Sequence, residues 1–358
     1  MNEYRSVLTI DTQMLFGTWP NANNNELLSQ VEKRMRMLVK HFLRSKLWVH
    51  VAVLCVAGSW VKADPGELFV KHSVNSDLTS LSSLLSTPLN LLARTDIARM
   101  NLLTARDLLG ALSMETDQYL IMLEEWTARA RTETERHLYR FKRNPAEFEH
   151  SEGFFKMLMM AVVLADDFGV HYVTNRQIDP ASADDRDGFF ANPSDVFLQG
   201  VLGAKRGGTC SSLPVLHVAI GRRLGYPLKL VTTKGHLFVR WEGQGERFNI
   251  EVSGSGLNRF DDNYYRKWPF PVTDEEVAAE GYLKSLTAPE ELAVFLSIRG
   301  MCLREAGRLE EAADSFASAA RFAPHCRSYK RMELQLRGNG ATTNAPPAKQ
   351  KPEPKPTK

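Results

Sequence analysis

Residues 206–224 read RGGTCSSLPVLHVAIGRRL, a pair of glycines and a cysteine followed by an apolar run. The glycines permit a tight turn, and the apolar residues after them recur at the three- and four-residue spacing of a helix. The sequence therefore predicts a helix that begins close to Leu213, with Cys210 at or beside its N-terminus. Unpaired N–H groups and the positive end of the helix dipole stabilise a thiolate at such a position. Cys210 is the predicted nucleophile.

Three strands are predicted after this helix, with a hairpin turn between the first two. Their predicted ranges are Leu228–Thr232, His236–Trp241 and Arg247–Val252. His236 begins the second strand, and period-two alternation puts Asn249 and Glu251 on one face of the third. A thiol nucleophile needs a base, and the base needs an acceptor that fixes its ring. We predict His236 as the base and either Asn249 or Glu251 as the residue that orients it.

These residues resemble the transglutaminase-like superfamily of papain-type cysteine enzymes, in which a helix-borne Cys, a strand-borne His and an acid on the next strand occur in this order. The resemblance is closer still to the bacterial SirB-type transglutaminase-like proteins. The matching stretches are Gly208-Thr209-Cys210, Arg223-Leu224-Gly225-Tyr226-Pro227, Gly235-His236-Leu237-Phe238-Val239-Arg240 and Ile250-Glu251. The resemblance implies an α+β core, with the nucleophile helix packed on an antiparallel sheet, and a thioester intermediate without a cofactor. The chain departs from the family at Glu251, where Asp is usual, which keeps Asn249 as the alternative.

Residues on either side of this motif are candidates for lining a substrate cleft. Arg206 immediately precedes the glycines, and Tyr264 and Trp268 belong to an aromatic segment after the third strand. Aromatic side chains in such a segment form a substrate wall or cover the edge of a sheet. We predict Arg206, Tyr264 and Trp268 as substrate-binding residues. The cysteines lack the paired spacing of zinc ligands, so no metal site is predicted.

The rest of the chain divides into segments of different character, within an overall α+β prediction. We predict five segments. A leader spans 1–63, a helical region 64–165 and the transglutaminase-like core 166–272. A tetratricopeptide-like repeat region spans 282–336, and a disordered Pro- and Lys-rich tail spans 337–358. The repeat pattern depends on small and aromatic residues at Gly300, Ala312, Phe316 and Ala319. One repeat cannot bury both of its faces, so we expect it to pack on the catalytic core, with binding of a partner peptide as the alternative.

The leader has the form of a secretory signal peptide at 35–63. Basic residues between Arg36 and Lys46 precede the apolar run 47–58, and a small-x-Ala cleavage pattern ends at Ala63. The apolar run is shorter than the roughly 20 residues of a membrane span, so no stable span is expected. We predict export to the periplasm or cell envelope, with a membrane-anchored or cytoplasmic protein as the alternatives.

Charge and composition argue against a nucleic-acid partner. The formal net charge is +3, and the tail supplies all of it through four lysines against Glu353. The sequence has no basic stripe with interleaved aromatics and no phosphate-cradling glycine loop. The predicted function is hydrolysis or acyl transfer at amide bonds of peptides or proteins, with a protein partner possible at the repeat. The alternative is a non-catalytic peptide-binding or protein-binding scaffold on the same fold.

Overall fold

A computed structural model describes residues 78–108, 115–173, 188–253 and 257–343. These residues belong to one compact unit, 71–358. Helices predominate and are combined with a mainly antiparallel arrangement of strands, which confirms the predicted α+β class. The predicted leader, 1–63 with its signal at 35–63, lies outside the described residues, as do residues 344–358 of the predicted tail.

The helical region begins its helices at polar caps. Ser80, Asp96 and Ser151 each accept a backbone N–H group of the following turn, which satisfies donors that a first helical turn leaves unpaired. The segment from Leu81 to Leu92 forms two short helices, because Pro88 interrupts the backbone hydrogen bonding. The helices are α1 (Leu81–Leu85), α2 (Leu89–Leu92), α3 (Ile97–Ala105), α4 (Thr116–Arg143) and α5 (Glu152–Val162).

The end of α5 leads into the first strand. The helix ends in a π-helical turn at Val163–Asp167. Gly169 follows with a φ of +71°, and its N–H donates to the Ala165 carbonyl at 3.1 Å. This left-handed residue ends the helix. The chain then enters strand β1 (His171–Tyr172).

The strands form two sheets. In the smaller sheet, β1 pairs in parallel with β2 (Gly207–Gly208), and helices α6 (Pro193–Val196) and α7 (Leu198–Leu202) lie between them in the chain. The larger sheet is antiparallel, with the order β3-β4-β5-β6. Its strands are β3 (Leu228–Thr233), β4 (His236–Gly243), β5 (Glu246–Glu251) and β6 (Asn258–Phe260). The three predicted strands are therefore confirmed, with ends that differ by one or two residues.

Helix α8 (Leu213–Arg223) packs closely against this antiparallel sheet. Its residues from Leu213 to Gly221 are all buried. At Gly221 the helix approaches β3 so closely that a Cβ atom would lie 2.2 Å from Cδ1 of Leu228. Only glycine permits this approach, since native interiors leave no spare volume for an extra methyl group.

The C-terminal part is helical and shares the core of the rest. Its helices are α9 (Asp262–Tyr265), α10 (Asp274–Glu280), α11 (Ala288–Glu305), α12 (Leu309–Phe322) and α13 (Arg327–Thr343). The tight pairing of α11 with α12 depends on Gly300, where a Cβ would lie 2.7 Å from the Phe316 ring. Helix α13 continues to Thr343, whereas the sequence predicts a disordered tail from residue 337 onward. Arg337, at the start of that predicted tail, pairs with Glu333 and Asp314.

Two arginines, the partly exposed Arg222 and the buried Arg299, connect these helices to the rest of the fold. Arg222 of α8 makes a bidentate pair with Glu291 of α11, with N–O distances of 3.0 and 2.5 Å. Arg299 of α11 donates to the Thr104 and Arg106 carbonyls at the end of α3. Both contacts satisfy buried charge by hydrogen bonding, which burial requires.

Within the described part of the chain, no helix combines the length and the apolar character needed to cross a membrane.

Candidate functional site

The turn that carries Cys210 is held in place by side-chain hydrogen bonds. Ser212 Oγ accepts the Thr209 N–H at 3.0 Å, and the Ser212 and Thr209 hydroxyls both donate to the Asp195 carbonyl at 3.0 Å. A Cβ at Gly208 would lie 2.8 Å from Ser212 Oγ, so only glycine fits beside this turn. Cys210 thus lies three residues before α8 and is 4% exposed.

His236 and Glu251 form a buried pair next to this cysteine. His236 is the first residue of β4 and Glu251 the last of β5. The distance between His236 Nε2 and Glu251 Oε2 is 2.7 Å. The Cys210 side chain lies close to the same imidazole and is one of the groups that raise its pKa. Because Glu251 holds Nε2, the other ring nitrogen, Nδ1, is left for the thiol. The structure therefore brings the predicted nucleophile, base and acid together.

The electrostatics of the pair favour the charged form of both groups. Burial by itself lowers the pKa of His236, but the charge and hydrogen bond of Glu251, together with the Cys210 thiol, raise this pKa to about 10. Burial likewise acts to raise the pKa of Glu251, but His236 and the Ser253 N–H lower it overall. At neutral pH the pair is an imidazolium and a carboxylate. The Cys210 side chain therefore has a cation beside it.

The Glu251 carboxylate is fixed by three donors. Oε2 accepts the His236 ring N–H and the Tyr265 hydroxyl, the latter at 3.3 Å, and Oε1 accepts the Ser253 N–H at 2.8 Å. Tyr265 is itself stacked on Phe238, with ring centroids 3.7 Å apart. The carboxylate therefore holds the imidazole in one ring plane, which is what the orienting residue of such a site must do.

Asn249, the alternative orienting residue, has other partners. The strand register places it opposite Arg240 of β4. Its Oδ1 accepts from Arg240 Nε at 2.7 Å, and its Nδ2 donates to Asp262 Oδ1 at 2.8 Å and to the Phe260 carbonyl. The structure thus brings Glu251, and not Asn249, to His236. Asn249 supports the buried Arg240 guanidinium instead.

The predicted aromatic wall lies beside the histidine. The Trp268 ring meets the His236 ring edge-on, with centroids 4.6 Å apart. The Tyr264 ring centroid lies 5.5 Å from that of Trp268, and the Tyr264 ring stacks on the Phe260 ring with centroids 3.9 Å apart. Both residues remain partly exposed. Trp268 therefore contacts the imidazole directly, and Tyr264 contacts Trp268.

Arg206, predicted as a substrate-binding residue, contacts other parts of the fold in the structure. Its guanidinium lies over the Trp126 ring at 4.9 Å, and Nη1 donates to the Leu202 carbonyl at 2.6 Å. Its backbone is left-handed, with a φ of +56°. Among the described contacts of this side chain, none involves Cys210 or His236. Arg206 packs on α4 and α7 because the planar guanidinium stacks on an aromatic face there.

His217, another histidine of this region, has a lowered pKa, whereas the pKa of His236 is raised. His217 of α8 is buried, and its Nδ1 lies 2.8 Å from the Leu213 carbonyl. Burial lowers its pKa to about 4, against a smaller opposing effect of that carbonyl. His217 is therefore neutral at physiological pH. Burial alone neutralises an imidazole, so the charge on His236 depends on its partners.

Sequence reasoning missed one residue near the predicted nucleophile. The pairing of β1 with β2 places Tyr172 opposite Gly208, two residues before Cys210. Burial, and then the electrostatic effect of Cys210, raise the pKa of the Tyr172 phenol well above its usual range. β1 has only two residues, too few for a periodic pattern to show in the sequence. The available signal was His171-Tyr172 directly after the helix-ending Gly169.

Comparison with protein-family models, with curated proteins and with solved structures gives no match.

Proposed function

We propose that this chain is a cysteine-dependent acyl-transfer enzyme that acts on amide bonds of peptides or proteins. The proposal depends on one observation. Cys210 lies beside the buried His236, which pairs through Nε2 with Glu251 Oε2 at 2.7 Å. Thioester chemistry requires a nucleophile, a base next to the nucleophile, and an acid that orients the base.

The proposed fold of the catalytic core is the transglutaminase-like, papain-type arrangement that the sequence motifs resemble, in its SirB-type form. Support comes from the position of Cys210 before a helix, the packing of that helix on an antiparallel sheet, and the chain order Cys210, His236, Glu251. The hairpin of α11 and α12 is proposed as the tetratricopeptide-like repeat, supported by the Gly300 and Phe316 contact. Export through the predicted signal at 35–63 remains part of the proposal.

The proposed reaction has two halves. The Cys210 sulfur attacks the carbonyl carbon of the substrate, a C–S bond forms, and the carbonyl π electrons move to oxygen. When they return, the C–N bond breaks and the imidazolium of His236 gives its proton to the leaving amine. Water or a second amine, deprotonated by the neutral His236, then attacks the thioester carbon and releases Cys210 as the thiolate. No cofactor takes part.

Site-resolved alkylation tests the proposal. Iodoacetamide labelling of the full chain at about pH 6, read by mass spectrometry of each cysteine peptide, compares Cys210 with internal references. Burial raises the pKa of both Cys302 and Cys326 to about 12, so these thiols stay protonated at this pH. We expect Cys210 to be alkylated at least about tenfold faster than either, and His236→Ala to remove the difference.

Two outcomes contradict the enzyme proposal. Cys210 labelling no faster than that of Cys302, or labelling that His236→Ala leaves unchanged, shows that the thiol is not activated by the imidazole. Either result favours the alternative, a non-catalytic scaffold that binds a peptide or protein on the same fold. Circular dichroism of the variant checks that the loss of labelling is not a loss of folding.

A further inference from the structure

Tyr265, a fully buried residue at the end of α9, is fixed against the sheet by its backbone and by its ring. The Thr233 hydroxyl donates to the Tyr265 carbonyl at 2.8 Å, and the antiparallel register places Thr233 directly opposite His236. The Tyr265 ring stacks on the Phe238 ring, with centroids 3.7 Å apart. Both parts of Tyr265 therefore have a set position relative to the strands β3 and β4.

Helix α9 is also held on the two strands that contain the buried pair. Arg240 of β4 is buried and donates through Nη2 to Oδ1 of Asp262, the first residue of α9, at 2.6 Å. The Nε atom of the same guanidinium donates to Asn249 Oδ1 of β5 at 2.7 Å. A charged hydrogen bond of this kind is stronger than a neutral one. The helix that carries Tyr265 is thus bound to β4 and β5 together.

The Tyr265 hydroxyl reaches the carboxylate that pairs with the histidine. It donates to Glu251 Oε2 at 3.3 Å, and this oxygen lies 2.7 Å from His236 Nε2. The other oxygen, Oε1, accepts the Ser253 N–H at 2.8 Å. Burial, and then the charge of Glu251, raise the pKa of the Tyr265 phenol well above its usual range, so the hydroxyl stays protonated as a donor must. Donors on both oxygens oppose rotation of the carboxylate about its last bond.

We propose that Tyr265 is a positioning residue, whose hydroxyl holds the Glu251 carboxylate in the orientation that fixes the His236 ring. This inference rests on the acyl-transfer function proposed above. A glutamate side chain has one more rotatable bond than aspartate, so it loses more conformational freedom when it is held in one orientation. The contacts close a ring from His236 through Glu251 and Tyr265 to Thr233, which lies opposite His236.

Ring orientation matters most in the second half of the proposed reaction. Deacylation requires His236 to take a proton from water, and proton transfer depends on the direction of the hydrogen bond. Alkylation of Cys210 by iodoacetamide depends instead on the thiolate, and Tyr265→Phe leaves the charges of His236 and Glu251 in place. The phenylalanine ring also keeps the stacking on Phe238. Loss of the hydroxyl should therefore slow deacylation and spare alkylation.

The acetyl enzyme formed from 4-nitrophenyl acetate gives the deacylation rate directly. The full chain is acetylated, excess reagent is removed, and loss of the acetyl group from the Cys210 peptide is followed by mass spectrometry. Tyr265→Phe is expected to slow this loss about 3–30-fold, with alkylation by iodoacetamide within about twofold of wild type. Tyr139→Phe, on a side chain that is 60% exposed, is the matched control.

A second background tests whether Tyr265 acts through Glu251. In Glu251→Ala the acceptor of the hydroxyl is absent, so adding Tyr265→Phe should change deacylation by less than about twofold. A residue that only packs would have the same effect in both backgrounds. Thermal unfolding of each variant confirms that the folded protein is assayed. If Glu251→Ala does not fold, the comparison of deacylation with alkylation in Tyr265→Phe alone decides.

Three results overturn the role of Tyr265 and leave the cysteine chemistry standing. They are deacylation slowed less than about threefold in Tyr265→Phe, a parallel fall in deacylation and alkylation, and an equal effect of Tyr265→Phe with and without the Glu251 carboxylate. A wild-type protein that forms no acetyl group on Cys210 overturns the proposed function, and the role of Tyr265 with it.

Discussion

Replacing Glu251 with Gln tests the charge state of the buried pair. The substitution keeps the size of the side chain but removes the charge that, with Cys210, raises the pKa of His236 to about 10. A histidine whose pKa is higher in the folded protein than in the unfolded one stabilises the fold fully below the unfolded pKa of about 6.5. That stabilisation is lost as the pH rises toward 10. Wild-type stability should therefore decline over this window in a way that Glu251→Gln does not.

The size of the effect follows from the same two pKa values. Proton linkage changes the free energy of unfolding by at most about 1.4 kcal/mol per pH unit for one group. Between about pH 6.5 and about pH 10, His236 can therefore contribute on the order of 5 kcal/mol. No discount for solvent is needed, because the His236 side chain is 2% exposed. Below about pH 4.5 stability instead falls as the pH is lowered. The pKa of Glu251 is lowered in the folded protein, so its stabilisation is lost as the carboxylate takes a proton. Maximum stability from this pair lies between these limits.

Urea unfolding followed by tryptophan fluorescence measures this prediction at about pH 6 and about pH 9.5. The free energy of unfolding of wild type should exceed that of Glu251→Gln by an amount that shrinks by at least about 2 kcal/mol between the two pH values. Glu149→Gln is the matched control, because it removes a charge from a surface pair with Arg259, whose contribution is roughly 0–1 kcal/mol. A gap between wild type and Glu251→Gln that is equal at both pH values refutes the reasoning.

Further substitutions test the packing around the site. Gly221→Ala is expected to lower the free energy of unfolding by about 1–3 kcal/mol, because its Cβ would lie 2.2 Å from Leu228 in a filled core. Gly338→Ala, where no atom lies within 4 Å, should instead raise it by about 0.5–1 kcal/mol through helix propensity, and equal effects of the two would contradict the packing argument. Glu291→Gln should cost about 1–3 kcal/mol in urea unfolding, since it weakens the bidentate pair with Arg222, and an unchanged midpoint would show that the pair is not needed.

The sequence predicts the parts of this site that have local signals. The helix after Cys210 has helical apolar spacing, and the β3-β4 hairpin has alternation and a Lys234-Gly235 turn, so both lie where expected. His236 is predicted as the base because it stands at the start of the second predicted strand. These features depend on residues close together in the chain, which is why a single sequence is enough for them.

The remaining features depend on pairing between distant residues. Asn249 and Glu251 share a face of β5, and only the register with β4 puts Arg240 opposite Asn249 and leaves Glu251 for His236. Tyr172 is brought near Cys210 by a parallel pair of two-residue strands, which leaves no periodicity in either segment. Register and side-chain direction of this kind are properties of the folded chain rather than of a window of sequence.

The hydrogen bonds of Arg222 and Arg299, which tie the C-terminal helices to the rest of the fold, limit how this protein can be truncated. One continuous hydrophobic core includes Leu84, Leu216 and Leu336, from the N-terminal helices to the last one. A truncation before Ala288 would remove one partner from each tie and expose the face of α3 that packs against α11. A shorter fragment around the proposed site, or another helical hairpin in place of α11 and α12, would therefore require redesign of that face. The C-terminal helices thus hold α3 and, through the Arg222–Glu291 pair, the end of α8.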